Sequence, residues 1–280
     1  MAALDMWTLS CFADEISTDP EEQCDVARRL GVEWIELRSA WAVNVLDLDD
    51  AQLESTQSIL ARNGVRVSSI GSPIGKIGVA ADFEEHLQRF ARALEVARRF
   101  EAPYIRLFSF FIPVGDDPRK HRDEVLRRLA ELVRRAESHD VVLLHENEKH
   151  IYGDIPERCL DVVESIGSPK LRLAWDPANF VQCGVRPFSE GYRALRPHIA
   201  YLHVKDADLA TGDVVPAGHG DGEVRETLHA LHGDGFDGFF SLEPHLAESW
   251  STGGFSGAEL FGVAHEAFTE LLTLEGVAFR

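Results

Sequence analysis

The chain has 280 residues, 45% of them apolar, with 47 Asp and Glu against 28 Lys and Arg, a formal charge of −19. Backbone contacts to nucleic acid depend on Lys/Arg neutralisation and counterion release, so this acidic balance argues against a polyanionic partner. No apolar run approaches the ~18 residues of a membrane span, the first residues lack the basic stretch of a secretory leader, and four scattered cysteines form no C-x-x-C pair; a cytoplasmic protein with reduced thiols is expected.

Taken in chain order, short apolar runs alternate with amphipathic ones. A first strand is expected over Thr8–Ala13, then a helix over Pro20–Leu30; a second strand over Trp34–Leu37, then a helix over Asp49–Asn63. The pattern continues with strands Arg66–Ile70 and Tyr104–Phe108, followed by helices Phe83–Phe100 and Arg119–Ser138. In the second half, strands Val141–His145, Leu171–Trp175, Ile199–His203 and Gly238–Leu242 precede helices Ile155–Ile166, Pro187–Leu195, Glu223–His232 and Ala258–Leu272. Gly31, Gly64 and Gly167 stand where left-handed helix caps are wanted. Strand and helix alternating eight times predict an α/β fold, a (β/α)8 TIM barrel, and the length suits one domain over 1–280.

The last four strands each run into a metal-ligand residue: VVLLHE into Glu146, LRLAWD into Asp176, IAYLH into His203 and FFSLE into Glu243. In a barrel these ends converge at the C-terminal mouth, where such enzymes do chemistry. Three carboxylates and one imidazole make a mostly hard ligand set, suited to one divalent cation, Mn2+ first, with Mg2+, Co2+ or Zn2+ as alternatives. A structural role competes at single positions: Asp176 in D-P-A-N also fits a helix N-cap. Glu146 and Glu243 are a candidate acid/base pair for moving a proton next to a carbonyl through an enediolate, whose charge a metal would stabilise.

Around this set, Asn179 is placed to donate to a sugar oxygen, Lys205 to polarise a substrate oxygen while Asp206 holds it, and Glu148 to bond substrate. His245, two after Glu243, is a candidate for substrate binding or ligand orientation. Glu36, Lys76 and Arg106, from earlier strand ends and loops, are candidate polar walls, with barrel-rim ion pairing as the alternative. Trp41, Trp175 and Phe110 are weighed as ring-stacking surfaces against ordinary core packing.

The motifs LLHENE (143–148), LAWDPANFVQCG (173–184), YLHVKDA (201–207), GHGDGEV (218–224) and GFFSLEPH (238–245) together resemble the xylose-isomerase-like TIM-barrel superfamily, the sugar phosphate isomerase/epimerase group, over nearly the whole chain. The resemblance implies one divalent cation on Glu146, Asp176, His203 and Glu243, a small-molecule carbohydrate substrate, and a homo-oligomer. It implies a metal-dependent isomerase or epimerase, or else a lyase such as an inosose dehydratase or a 3-keto-C-glycoside deglycosidase. A non-catalytic sugar-binding or partner subunit is the reading outside enzymes. Asn179 stands where ketose epimerases of the group place a histidine, which weighs against free-ketose 3-epimerisation. The acidic charge and the missing extra histidines weigh against the DNA-repair endonucleases of the same superfamily.

Overall fold

Strands buried on both faces must be apolar at nearly every position, and parallel strands need a covering helix at each crossover. The computed structural model describes residues 6–247 and 255–280 and shows this arrangement. Eight parallel strands, β1 (Met6–Cys11), β2 (Trp34–Leu37), β3 (Arg66–Ile70), β4 (Tyr104–Leu107), β5 (Val142–Glu146), β6 (Leu171–Trp175), β7 (Ile199–Val204) and β8 (Phe239–Leu242), are joined by β9 (Ala278–Phe279). The hydrogen-bonded order is β9-β1-β8-β7-β6-β5-β4-β3-β2, and β1 also packs beside β2, so the sheet is nearly closed into a barrel. Helices α1 (Pro20–Arg29), α2 (Asp50–Asn63), α3 (Phe83–Arg99), α4 (Arg122–Ala136), α5 (Pro156–Ile166), α6 (Pro177–Gln182), α7 (Val224–Gly233) and α8 (Gly257–Leu274) surround it. Among the described residues no helix is long and apolar enough to cross a membrane.

Alternation along each strand builds the interior in layers. Leu144, Ala174 and Tyr201 cluster with Tyr104 and Phe239 deep in the barrel. Above them the hydroxyl of Ser68 meets those of Ser10 at 2.6 Å and Tyr201 at 2.8 Å. Two residues further along the same strands come Arg106, Glu146, Asp176 and His203, all buried. The interior therefore changes from apolar to hydroxylic to charged as it nears the mouth.

Departures from the expected elements are local. Gly64 and Gly167 cap α2 and α5 in the left-handed conformation, as expected, and Gly31 follows α1 with φ +79. The expected helix over Arg119–Ser138 begins with a 3-10 turn at Pro118–His121, because Asp117 caps that turn by accepting from Arg119 N. The segment expected as helix Pro187–Leu195 is a π turn at Phe188–Tyr192 followed by short helical turns to His198. Helix α6 starts at the N-cap that D-P-A-N offers at Asp176, and Pro177 at its first position is favourable there because a missing N–H costs nothing. Finally β1 stops at Cys11 and a 3-10 turn at Ala13–Glu15 carries Asp14 and Glu15 toward the mouth.

Candidate metal centre and pocket

At the ends of β5 to β8, Glu146, Asp176, His203 and Glu243 each offer one ligand atom, all within 4.8 Å of one another and all buried. His203 Nδ1 lies 3.3 Å from Glu146 Oε1, 3.7 Å from Glu243 Oε2 and 3.9 Å from Asp176 Oδ2. Its other nitrogen, Nε2, is 3.1 Å from Glu36 Oε2. Neither His203 Nδ1 nor Asp176 Oδ2 makes a hydrogen bond of good geometry, although Lys205 Nζ is 2.8 Å from that oxygen. An imidazole lone pair facing three carboxylates repels unless a positive species stands between them. The donor set therefore fits a divalent cation. In its absence a proton serves: burial disfavours charged His203, but Glu146 and Glu36 hold its pKa well above the ordinary value.

Asp176 caps a helix, as its motif suggested, and also faces the cluster. One oxygen, Oδ1, caps α6 by accepting from Asn179 N at 2.8 Å, and Oδ2 faces the cluster. Asn147 fixes the turn from β5, donating to the Asp176 carbonyl at 2.8 Å and accepting from its N–H at 3.0 Å.

Three cations press on the carboxylates. Arg106 Nη1 is 3.1 Å from Glu146 Oε2, Arg38 Nη1 is 3.0 Å from Glu243 Oε1, and Lys205 Nζ is 3.1 Å from Glu243 Oε2. Both guanidiniums lie against the Phe12 ring, with Arg38 Cζ 4.7 Å and Arg106 Cζ 4.9 Å from its centroid. Burial pushes both glutamates toward the neutral acid, but their neighbours win. His203 and Arg106 bring Glu146 down to about 2, and Lys205 with His245 hold Glu243 well below the usual range. Asp176 goes the other way, raised by burial against the opposing pull of Lys205.

A cavity of about 390 Å3 opens over this centre. Lys76, Arg106, Glu148, Asn179, Lys205 and His245 line it together with Glu146 and Glu243. Asn179 donates to Glu146 Oε1 at 3.1 Å, and Lys76 pairs with Glu148 at 3.1 Å. Two other expected residues lie elsewhere. Glu36 is buried behind the cluster against His203 and is not a cavity wall. Asp206 does not hold Lys205; its carboxylate instead accepts from the N–H groups of Gly218, Gly220 and Gly222, which ties down the glycine-rich loop. Trp175 and Phe110 pack in the interior, buried against Phe180 and Phe83, whereas Trp41 is exposed in the turn of a hairpin between Ser39–Ala40 and Val43–Asn44.

Arg38, which with Glu36 in IELRS is a strand-end contributor weighed against rim ion pairing, lines the cavity; Asn44, Lys149 and Gln182 line it without an expectation from the sequence, and Glu15 stands behind it. The basic residue in IELRS was a partial signal for Arg38. Glu15 and Lys149 gave none, since each looks like an ordinary loop charge.

Residues 24–260 match the family described as xylose isomerase-like TIM barrel. The chain belongs to that family. A 99-residue stretch is 39% identical to 2-epi-5-epi-valiolone 7-phosphate 2-epimerase of Actinoplanes sp., covering 35% of this chain and 34% of that protein. The chain thus spans about a third of the length of the curated relative it matches. Among solved structures, the probable 3-DHS dehydratase of Bacillus anthracis superposes with a TM-score of 0.73 at 20% identity, over 94% of this chain and 98% of that one. A xylose isomerase-like TIM-barrel protein of Mycobacterium smegmatis, in complex with magnesium, gives 0.69 at 21% identity, over 95% and 97% of the two chains. These likenesses establish a shared fold.

Proposed function

We propose that this chain is a divalent-metal-dependent isomerase or epimerase of a sugar or keto-sugar, with Glu146, Asp176, His203 and Glu243 holding the cation. The observation that carries this reading is the lone His203 Nδ1 facing three carboxylates at the floor of a polar cavity. The epimerase among its relatives and the magnesium held by a protein of the same fold support it. Mn2+ remains the first choice of metal, for the hardness of an O3N ligand set.

A cation bound there supplies Lewis acidity, polarising a carbonyl and stabilising charge that develops on oxygen. The chain's own residues do the rest. Glu146 and Glu243, on β5 and at the end of β8, are both held ionised, so each is a base at neutral pH. One removes the proton from the carbon beside the carbonyl, the C–H electron pair moves into the C–C bond and the carbonyl pair moves onto oxygen, giving an enediolate. The other, once it has taken up a proton from solvent water in the open cavity, gives it to carbon, from the opposite side for an epimerisation, and returns to the carboxylate. Asn179 holds Glu146 in place, and Lys205 offers a buried ammonium to a substrate oxygen.

Elimination from the same intermediate is the second reading. It is favoured by His245, whose Nε2 lies in the cavity wall 3.4 Å from Glu243 Oε1, where a departing hydroxyl or aglycone needs a proton. The dehydratase of the same fold supports it as well.

The test is solvent deuterium incorporation, read by mass spectrometry over ketoses, keto-cyclitols and 3-keto-glycosides, with Mn2+ and after chelation. Metal-dependent exchange that disappears in Glu243→Gln supports the proton step, and product mass then separates isomerase from lyase. Absence of exchange in every class, with metal tightly bound, would overturn it in favour of a binding subunit.

A further inference from the structure

Glu243 presents its two oxygens to two different groups. Oε2 lies 3.7 Å from His203 Nδ1, in the metal cluster, whereas Oε1 lies 3.4 Å from His245 Nε2. His245 Nε2 is in turn 3.1 Å from Glu15 Oε1. Glu15, Glu243 and His245 thus form a second group of ligand atoms, all within 4.8 Å of one another.

The carboxylate of Glu15 turns this proximity into a site. Its Oε2 is engaged, accepting from His245 N at 2.8 Å and from Ser256 Oγ at 3.0 Å, so the group is held from one side. Its Oε1 is buried and accepts no hydrogen bond of good geometry, although His245 Nε2 is so near. A plain ion pair would have brought the Nε2 proton into line with that oxygen. Among the described residues, two other buried carboxylate oxygens are in the same state, Asp176 Oδ2 and Asp14 Oδ1. Of these three residues, Asp176 and Glu15 each belong to a cluster of ligand atoms that includes an imidazole, and Asp14 does not. The second group therefore repeats the signature of the first, a buried oxygen without a donor beside a histidine nitrogen and a further carboxylate. Three protein ligands of N and O type, with a position left open to the cavity, suit a divalent cation. Arg38 Nη1 donates to Glu243 Oε1 at 3.0 Å, and its charge opposes a cation there, so the second site is the weaker of the two.

We propose that Glu15, Glu243 and His245 form a second divalent-cation site, joined to the first through Glu243, and that filling it inhibits the protein. Glu243 and His245 both line the cavity, so a cation reaches the site through the barrel mouth. The inhibitory role rests on the proton-transfer reading above. With Oε2 turned to the first cation, Oε1 is the oxygen left to act as a base, and a carboxylate bridging two cations is a far weaker base than one bound to a single ion. Metal thus switches the reaction on at the first site and off at the second.

The experiment titrates the metal-free full chain with Mn2+ alone, following binding by equilibrium dialysis and electron paramagnetic resonance, and reads solvent deuterium exchange at the same concentrations. Wild type, Glu15→Gln and His245→Asn are compared. Asparagine accepts the left-handed backbone that His245 has at φ +47, so the second variant removes the imidazole without adding strain. Wild type is expected to bind two equivalents, the second about tenfold or more weaker, with the magnetic coupling of a carboxylate-bridged Mn2+ pair. Exchange should rise with the first equivalent and fall by about 10²-fold or more with the second, as a positioned base is lost. Both variants should bind one equivalent, with first-site affinity within about twofold of wild type, and whatever exchange they retain should no longer fall at high Mn2+. A single equivalent in wild type at millimolar Mn2+ would overturn the second site and leave the proton-transfer reading standing. A second equivalent kept by both variants would place that ion elsewhere and overturn the site as well. Two equivalents, one of them lost in the variants, with exchange that does not decline would overturn the inhibitory role. The same binding with no exchange on any substrate would overturn the reaction and leave the site.

Discussion

Glu36 on β2 reaches across the barrel to His203 on β7, its Oε2 lying 3.1 Å from His203 Nε2. Both side chains are buried, so the contact fixes which ring nitrogen faces the three carboxylates. With the Nε2 proton directed to Glu36, Nδ1 is the nitrogen left for a metal. Partners of this kind orient a ligand and raise its basicity. Glu36→Gln is therefore expected to weaken Mn2+ binding by about 10–100-fold, measured by calorimetry or equilibrium dialysis. An affinity equal to wild type would remove Glu36 from the metal site.

The two glutamates have different neighbours, and their amide variants should differ accordingly. Glu243 contacts Arg38, Lys205 and His245, whereas Glu146 contacts Arg106, Asn179 and His203. Glu243→Gln and Glu146→Gln are each expected to lower exchange by about 10²–10⁴-fold, the usual contribution of a positioned acid or base. Each also leaves an arginine with one buried charged partner fewer, so a loss of thermal stability should accompany the loss of rate. Wild-type exchange in either variant would remove that residue from the proton step.

The metal cluster was legible because two regularities coincide at the strand ends. Alternation places Leu144 and Glu146, Ala174 and Asp176, Tyr201 and His203 on one inward face, so an apolar run that stops on a carboxylate or imidazole aims it at the barrel axis. Asp206 shows the limit of that reasoning. Its spacing from His203 suggested a partner for Lys205, but three glycine N–H groups from a loop more than ten residues away claim its carboxylate. Glu15 and Lys149 become visible only in three dimensions, and Arg38, a strand-end candidate in IELRS, acquires its partners only there. Their importance comes from what distant loops bring beside them: Asp14 and Glu243 to Arg38, His245 and Ser256 to Glu15, and Gln182 to Lys149.

Glu15 supports the loop that follows β8. Its Oε2 accepts from His245 N at 2.8 Å and from Ser256 Oγ at 3.0 Å, and its Oε1 is 3.1 Å from His245 Nε2. His245 has a left-handed backbone at φ +47, a conformation that must be held by its surroundings. Glu15→Gln keeps the shape but turns one acceptor into a donor. Turnover with the preferred substrate should fall about tenfold or more, with Mn2+ affinity within about twofold of wild type. A purely structural Glu15 would instead lower the melting temperature and leave the kinetics of the folded fraction unchanged.

His86 gives the fold a dependence on acid. Burial, with Arg128 and Arg89 nearby, depresses its pKa from 6.5 to about 4, and its Nε2 accepts from Gly75 N at 2.8 Å. The folded state therefore keeps the ring neutral where the unfolded chain would protonate it. This contribution is fully present above pH 6.5 and is lost progressively as pH falls toward about 4. Urea midpoints followed across that window should decline, and less steeply in His86→Gln, which has no ring to protonate. Equal declines in both proteins would assign the acid sensitivity to other groups.

Gly75, at the other end of that bond, is the position where a single methyl group should do most damage. Its φ of +88 disfavours any side chain, and a Cβ there would run into the Phe108 carbonyl, which lies between β4 and the cavity loops. The approach is fixed by Phe108 N donating to the Ile74 carbonyl at 2.8 Å, so neither chain can withdraw without losing a buried hydrogen bond. Gly31 provides the control, with a similar φ of +79 and nothing within 4 Å of its would-be Cβ. Gly31→Ala should cost only the left-handed strain, about 1 kcal/mol, or roughly 2–4 °C in Tm. Gly75→Ala adds the clash and should cost at least about twice as much. It should also lower turnover, since Lys76 is the next residue and lines the cavity. Melting curves of the two variants decide the matter: equal shifts would mean that the loop yields to the methyl group and that its close contact with Phe108 does not position the cavity wall.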